Sequence, residues 1–385
     1  MVRQLNPAVV AARTEQFGPL RQLAKDPEFI NLAVAQHYRP PAEHIIAAVR
    51  DAVVPERFRY GATAGEPELL HAIASRLAER GINADPATEI RVVHGSGHAF
   101  LMTLMAFLCP GDEVITLEPS FPLNWYACEM LGASVAGVPI GGAAGMSDVA
   151  DRIAASVTPR TKAIILHPVN NPTGDVLTRE AVEGIADVAR RRDLLVLSDE
   201  VFATFVFDGL QMTSIASLPG MYERTVTIGG VSKDYNLPGL RVGYLAGPKP
   251  IVEVIGHIQH NGPVGASVLG QVGALAALTG PQHGVVDLVA ELSRTRDGVV
   301  DALNRIPGVV CPQPRGGFFV FADLTRLGID ADQFSLGLAR EAKIGVAPGT
   351  WYGRSGSGHV RICYGAAPPQ SVYEFVRRLK AYLAR

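Results

Sequence analysis

A chain of 385 residues, 48% apolar and 19% charged, has enough apolar material for a large core and for two domains, and is not a disordered chain. Its net charge of −2 excludes the basic footprint of a nucleic-acid or anionic-membrane binder. Cys109, Cys128, Cys311 and Cys363 lie far apart, match no metal-ligand spacing and read as reduced core residues, which suits a cytoplasmic protein; no membrane span, signal peptide, repeat or low-complexity linker is expected.

In chain order, residues 1–30 show little periodicity and read as an arm. Phe29–Ala35 is a short apolar strand leading into Gln36-His37-Tyr38-Arg39-Pro40-Pro41. A helix over Ala42–Val54 places Ile45, Ile46 and Val49 on one face. The loop Phe58-Arg59-Tyr60-Gly61 comes next, and Pro67 opens the following helix in its first turn. Ile90–Val93 is a strand, followed by His94-Gly95-Ser96-Gly97-His98 and an apolar helix from Ala99 to Leu108. A strand, a glycine-bearing turn and a helix N-terminus can hold an anion, although ordinary βα turns are built the same way. Glu113–Thr116 is a strand that runs into Glu118-Pro119-Ser120-Phe121-Pro122, where Phe121 is either core or a flat face for stacking on a ring.

Ala163–Leu166 is continuously apolar, as expected of a parallel strand covered on both faces. His167-Pro168-Val169-Asn170-Asn171-Pro172-Thr173-Gly174 is a turn-rich loop, and Thr178 caps a helix with Val182, Ile185 and Ala189 on one face. Strands at Leu194–Leu197 and Thr225–Ile228 end in Ser198-Asp199-Glu200-Val201-Phe202 and Gly229-Gly230-Val231-Ser232-Lys233. Asn171, Asp199 and Lys233 therefore lie just past three strand ends and can converge at the carboxyl edge, where open α/β sheets bind ligands. A lysine desolvated there can form a Schiff base, and an arginine such as Arg241 can grip a phosphate through its planar fork. A long helix over Val286–Leu303 precedes a tail of strands (317–321, 345–347, 359–363) and helices (332–342, 371–383), a smaller α+β unit. The expected division is an arm with part of the smaller domain (1–48), a large domain (49–285) and a C-terminal small domain (286–385).

Asn170-Asn171-Pro172-Thr173-Gly174, Ser198-Asp199-Glu200-Val201-Phe202 and Ser232-Lys233 with Arg241 occur in the order and spacing of one family. The chain resembles the class I/II aminotransferases of pyridoxal-phosphate fold type I over nearly its whole length. Residues 214–229 look like the branch of kynurenine, glutamine and methionine aminotransferases and cysteine-conjugate β-lyases. The resemblance implies a large domain with a mainly parallel seven-stranded sheet, a smaller α+β domain, pyridoxal 5'-phosphate as cofactor, amino acids and 2-oxo acids as substrates, and a homodimer with shared sites. By the same resemblance, Lys233 forms the Schiff base with the cofactor and moves the α-proton, and Asp199 pairs with the pyridinium nitrogen. Asn171 bonds the ring 3-oxygen, Phe121 stacks on the ring, and Ser96, Gly97 and Arg241 hold the phosphate, with Tyr60 reaching that of the neighbouring subunit. Arg361 grips the substrate carboxylate.

Three departures stand out. Phe202 occupies the position of a tyrosine that bonds the 3-oxygen, Gly230 that of a phosphate-binding serine, and Ala35-Gln36-His37-Tyr38 that of a glycine-rich segment near the carboxylate. Ala35, His37 and Tyr38 are therefore expected to line the substrate pocket. Phe202 leaves two readings open: a neutral replacement in a working transaminase, or a lyase (C–S elimination), decarboxylating or oxidative enzyme on the same scaffold. A regulatory ligand-binding protein on this fold is a third.

Overall fold

The computed structural model describes residues 9, 23–140, 146 and 148–384; the expected arm lies largely outside them. The strands are β1 (Ile30–Asn31), β2 (Ile90–Val93), β3 (Glu113–Glu118), β4 (Ser134–Pro139), β5 (Thr161–Leu166), β6 (Leu195–Asp199), β7 (Thr225–Gly230), β8 (Gly243–Ala246), β9 (Val320–Asp323), β10 (Ile344–Gly345), β11 (Ala347–Pro348) and β12 (His359–Ile362). Seven of them form one sheet in the order β2-β8-β7-β6-β5-β3-β4. Only β8 runs antiparallel to its neighbours.

The apolar run in β5 explains how this sheet is covered. Ala163 and Ile165 pack on one face with Phe100, Leu104, Val252 and Ile255, from the helices Ser96–Phe107 and Lys249–Asn261. Ile164 and Leu166 pack on the other with Ile153, Val182 and Ile185, from Val149–Ser156 and Arg179–Arg191. Successive side chains of a strand point to opposite faces, so a strand buried on both sides reads as unbroken aliphatic sequence. Thr178 caps the helix Arg179–Arg191 as expected: its Oγ1 accepts from the amide of Ala181 at 3.2 Å.

β11, β12 and β9 form an antiparallel three-stranded sheet, while β1 pairs in parallel with β10, Ile30 opposite Ile344. The long helix His283–Asn304 and the helices Ala331–Glu341 and Pro369–Leu383 pack with these strands in a second core that also takes in Leu32, Phe202, Phe205, Phe318 and Phe319. The N-terminal segment thus joins the C-terminal part of the chain.

The strand expected over Phe29–Ala35 is shorter: β1 covers Ile30–Asn31, and the Asn31 side chain accepts from the amide of Ala33 just past it. The strand expected over 345–347 divides at Val346 into β10 and β11, which join different sheets. The helix expected from Ala99 begins at Ser96. Past β1, the carbonyls of Ala33 and Ala35 accept from Arg361 and Lys233.

Candidate active site

The parallel strands β2, β3, β5, β6 and β7 deliver their carboxyl ends to one edge. At the end of β2, Gly95 adopts φ +85° and the chain turns directly into the helix Ser96–Phe107. A Cβ on Gly95 would lie 2.6 Å from Nη2 of Arg241, and one on Gly243 would lie 2.4 Å from the amide nitrogen of Ser96. Only glycine permits both approaches. Arg241 comes after the turn Pro238–Leu240 in a left-handed conformation (φ 54°, ψ 47°), a strained placement of the kind found at functional sites. Its Nη1 donates to the Pro238 carbonyl and its Nη2 to that of His94, both at 3.2 Å. The guanidinium is thereby seated at the amino end of the helix, beside its first amides, those of Ser96 and Gly97: a cradle for a phosphate dianion.

Lys233 sits just past the end of β7, and its Nζ donates to the Ala35 carbonyl at 2.5 Å. Burial, with the charges of Arg361 and Arg241 assisting, lowers its pKa to about 8, against the pull of Cys363 and Asp199. A lysine so depressed is a usable nucleophile and proton carrier near neutrality. The Phe202 ring lies 5.7 Å from Nζ. Phe202 is buried edge-on against Phe318 and Phe319, with centroids 5.4 and 5.2 Å away, so it floors the lysine as part of an aromatic core.

Asp199 ends β6. Burial raises its carboxyl pKa, opposed by His167, the amide of Val201 and Lys233. His167 Nδ1 is 3.8 Å from Asp199 Oδ2, and its Nε2 meets the side-chain amide of Asn124, itself bonded to Thr116 and Ser120. Burial lowers the pKa of His167 and keeps the ring neutral. His167, itself held by Asn124, thus stands beside Asp199, a neighbour that sequence alone did not assign; the signal was a histidine directly at the end of a buried strand.

Arg361, on β12, is 3% exposed. Its Nη1 donates to Asn171 Oδ1 at 3.0 Å and its Nη2 to the Ala33 carbonyl at 2.5 Å, while its buried Nε has no partner among the described residues. Tyr352 and Phe319 flank the guanidinium at 5.1 and 5.8 Å. Lys233, Asp199, Asn171, Arg361, Phe202 and Ala35 therefore converge, with Ser96, Gly97 and Arg241 alongside. Phe121 stands 36% exposed just past β3. Tyr60 is 92% exposed and stands apart from the rest. Tyr38 is turned onto the long helix, its hydroxyl donating to Glu291 at 2.8 Å. His37 is 4% exposed, and burial, aided by the charges of Arg39 and Lys233, lowers its pKa to about 4 against the backbones of Lys233 and Arg39.

The family model for "Aminotransferase class I and II" matches residues 27–379. The chain belongs to this family. It is 37% identical over 327 residues to an aspartate aminotransferase of Musicola paradisiaca, covering 84% of this chain and 82% of that one. It is 35% identical over 341 residues to aromatic-amino-acid aminotransferase 2 of Thermococcus litoralis, covering 88% and 87%. Among solved structures, the aromatic aminotransferase of Pyrococcus horikoshii superposes with a TM-score of 0.87 at 33% identity, over 95% of this chain and 98% of that one. The chain is a pyridoxal-phosphate-dependent aminotransferase of fold type I. These relatives do not carry the names of the branch that residues 214–229 resemble, and the lyase and oxidase readings gain no support from them. The residues present fit the cofactor: a depressed lysine, a buried carboxylate opposite it, and an arginine and helix amides shaped by glycines into a phosphate cradle.

Proposed function

We propose that the site moves the α-amino group of an α-amino acid to a 2-oxo acid, with a distinct task for each residue. Pyridoxal phosphate, when bound, supplies an aldehyde that takes up the amino group and a ring that spreads the electrons released with the α-proton. Ser96, Gly97 and Arg241 would hold its phosphate. Asp199, with His167 beside it, would pair with the ring nitrogen and favour its protonated form. Asn171 would hold the ring 3-oxygen, and Phe121 would stack on the ring. Arg361 receives the substrate carboxylate in a bidentate pair, with Ala35 and its neighbours closing the site. Lys233, with its pKa lowered to about 8, would take and return the proton at the substrate Cα.

The observation that carries this reading is the buried Arg361 held across Asn171 toward Lys233, a cation with an unpartnered Nε and no ion pair to a carboxylate among the described residues. An α-carboxylate completes it. His37 and Tyr38 shape the segment that carries Ala35; His37 stays neutral and Tyr38 braces it on Glu291.

The working protein is a cytoplasmic homodimer in which Tyr60 completes the neighbour's phosphate site. The exposure of Val53, Val54, Phe58 and Tyr60 on one short stretch supports an interface there. The separate sheets support a large and a small domain; Ile45 of the helix Glu43–Asp51 packs with Leu69, Ile73 and Ala274, so that helix goes with the large one. Among the described residues no helix is long and apolar enough to cross a membrane. The test is Lys233→Ala: turnover disappears, while phosphate-dependent binding of the cofactor persists. Full activity in this variant refutes the assignment.

A further inference from the structure

Behind the catalytic lysine, two cavities of about 400 and 470 Å³ meet at Asp234, Tyr235 and Val285. Their charges do not balance. Each arginine lining them has its own carboxylate: Arg39 pairs with Glu291 at 2.5 Å, Arg76 with Glu79 at 3.2 Å, and Arg80 with Glu200 at 2.7 Å. Asp234 has no such cation among the described residues. Its Oδ2 accepts from the Thr204 hydroxyl at 3.0 Å, and its buried Oδ1 has no partner among the described residues. Arg80 and Arg76 act on it only through space. In the larger cavity, the backbones of Lys233 and Arg39 approach the buried His37 ring, but neither of its nitrogens, nor Nε2 of His44, closes a hydrogen bond of good geometry among the described residues.

Buried polar atoms without partners are costly and rare in native proteins. A carboxylate oxygen accepts only; a neutral imidazole offers one further acceptor and one donor. Pro40, Pro41, Ile45 and Leu288 provide an apolar wall to the same cavity. From this juxtaposition we propose that the joined cavity is a binding site for a small organic cation with N–H donors and an apolar body, its cationic end on Asp234 and His37. The site is lined by Asp234, so occupancy there reports directly on the residue next to the catalytic lysine.

Benzamidine is the probe: planar, cationic, rich in N–H donors, and apolar at its other end. Isothermal titration is done on enzyme loaded with pyridoxal phosphate and treated with borohydride, which fixes the cofactor on Lys233 and closes the catalytic face. One benzamidine binds per protomer, and the neutral isostere benzamide binds about tenfold more weakly or worse, as expected when a charge-assisted pair is lost. Asp234→Asn loses a similar factor. Val285→Trp, which fills the junction from the helix side, abolishes binding and decides the matter should Asp234→Asn fold poorly. Equal binding of benzamide and benzamidine overturns the proposal, as does unchanged affinity in the folded variants. A soaked crystal with only ordered water between Asp234 and His37 overturns it too.

Discussion

Replacing Arg361 by lysine probes the substrate-carboxylate site with little change in charge. Arg361 is buried, holds Asn171 and Ala33 at 3.0 and 2.5 Å, and lies between Tyr352 and Phe319. A lysine keeps a point charge and loses the planar fork, so one of the two charge-assisted bonds to the substrate carboxylate disappears. Such bonds contribute about 1.5–3 kcal/mol each, and kcat/KM should fall roughly 10- to 150-fold. Arg361→Ala loses both bonds, leaves Asn171 Oδ1 and the Ala33 carbonyl without their donor, and should cost on the order of 10³-fold or more. The assay compares each α-amino acid with the amine that lacks its carboxylate. In wild type the amino acid is far the better substrate; in the variants the amino acid declines and the amine does not. Equal losses for both compounds refute the carboxylate role and make Arg361 a purely structural residue.

The same geometry gives four further expected outcomes. Cofactor capture by the apoenzyme needs neutral Lys233; because the folded pKa is about 8 rather than 10.5, the capture rate should climb with pH and level off above about 8. Stopped-flow absorbance that still climbs past pH 10 contradicts the depressed lysine. His37, buried and neutral with its pKa near 4, makes the folded state bind fewer protons than the unfolded one, so stability is retained above pH 6.5 and lost as pH falls toward 4. His37→Phe should recover about 2 kcal/mol of that acid-side loss, read from urea unfolding at pH 7 and 4.5; a parallel loss in both proteins contradicts it. Glu200→Gln breaks the pair to Arg80, while the remaining amide oxygen still accepts from Ser198 and Ser214, and should cost about 3–5 kcal/mol of stability, seen as a lowered Tm; an unchanged Tm contradicts the ion pair's role. Phe202→Tyr restores a phenol near Lys233 and should lower the pH at which the bound cofactor's absorption changes, measured by spectroscopic titration.

The large sheet was legible because both-face burial writes itself as β-branched and aliphatic runs: β2, β5 and β7 lie where Ile90–Val93, Ala163–Leu166 and Thr225–Ile228 place them. Lys233, Asp199 and Asn171 were legible for a related reason, since each comes just after such a run. Less was visible where a side chain acts through another. His167 looked like part of a turn, and only the fold shows it beside Asp199. The segment 35–38 carried no period, and its course depends on pairing between Ile30–Asn31 and Ile344–Gly345, over three hundred residues away. Nor could charge pairing be read along the chain: Arg39, Arg76 and Arg80 each find a carboxylate, while Asp234 finds no cation among the described residues.

The most direct test is a single turnover. Enzyme loaded with pyridoxal phosphate is mixed with a panel of amino acids in the absence of any oxo acid, and cofactor absorption and products are followed together. Transamination requires conversion of the cofactor to its aminated form with one equivalent of 2-oxo acid released. Return of the starting absorption with ammonia, carbon dioxide or a thiol released would contradict it.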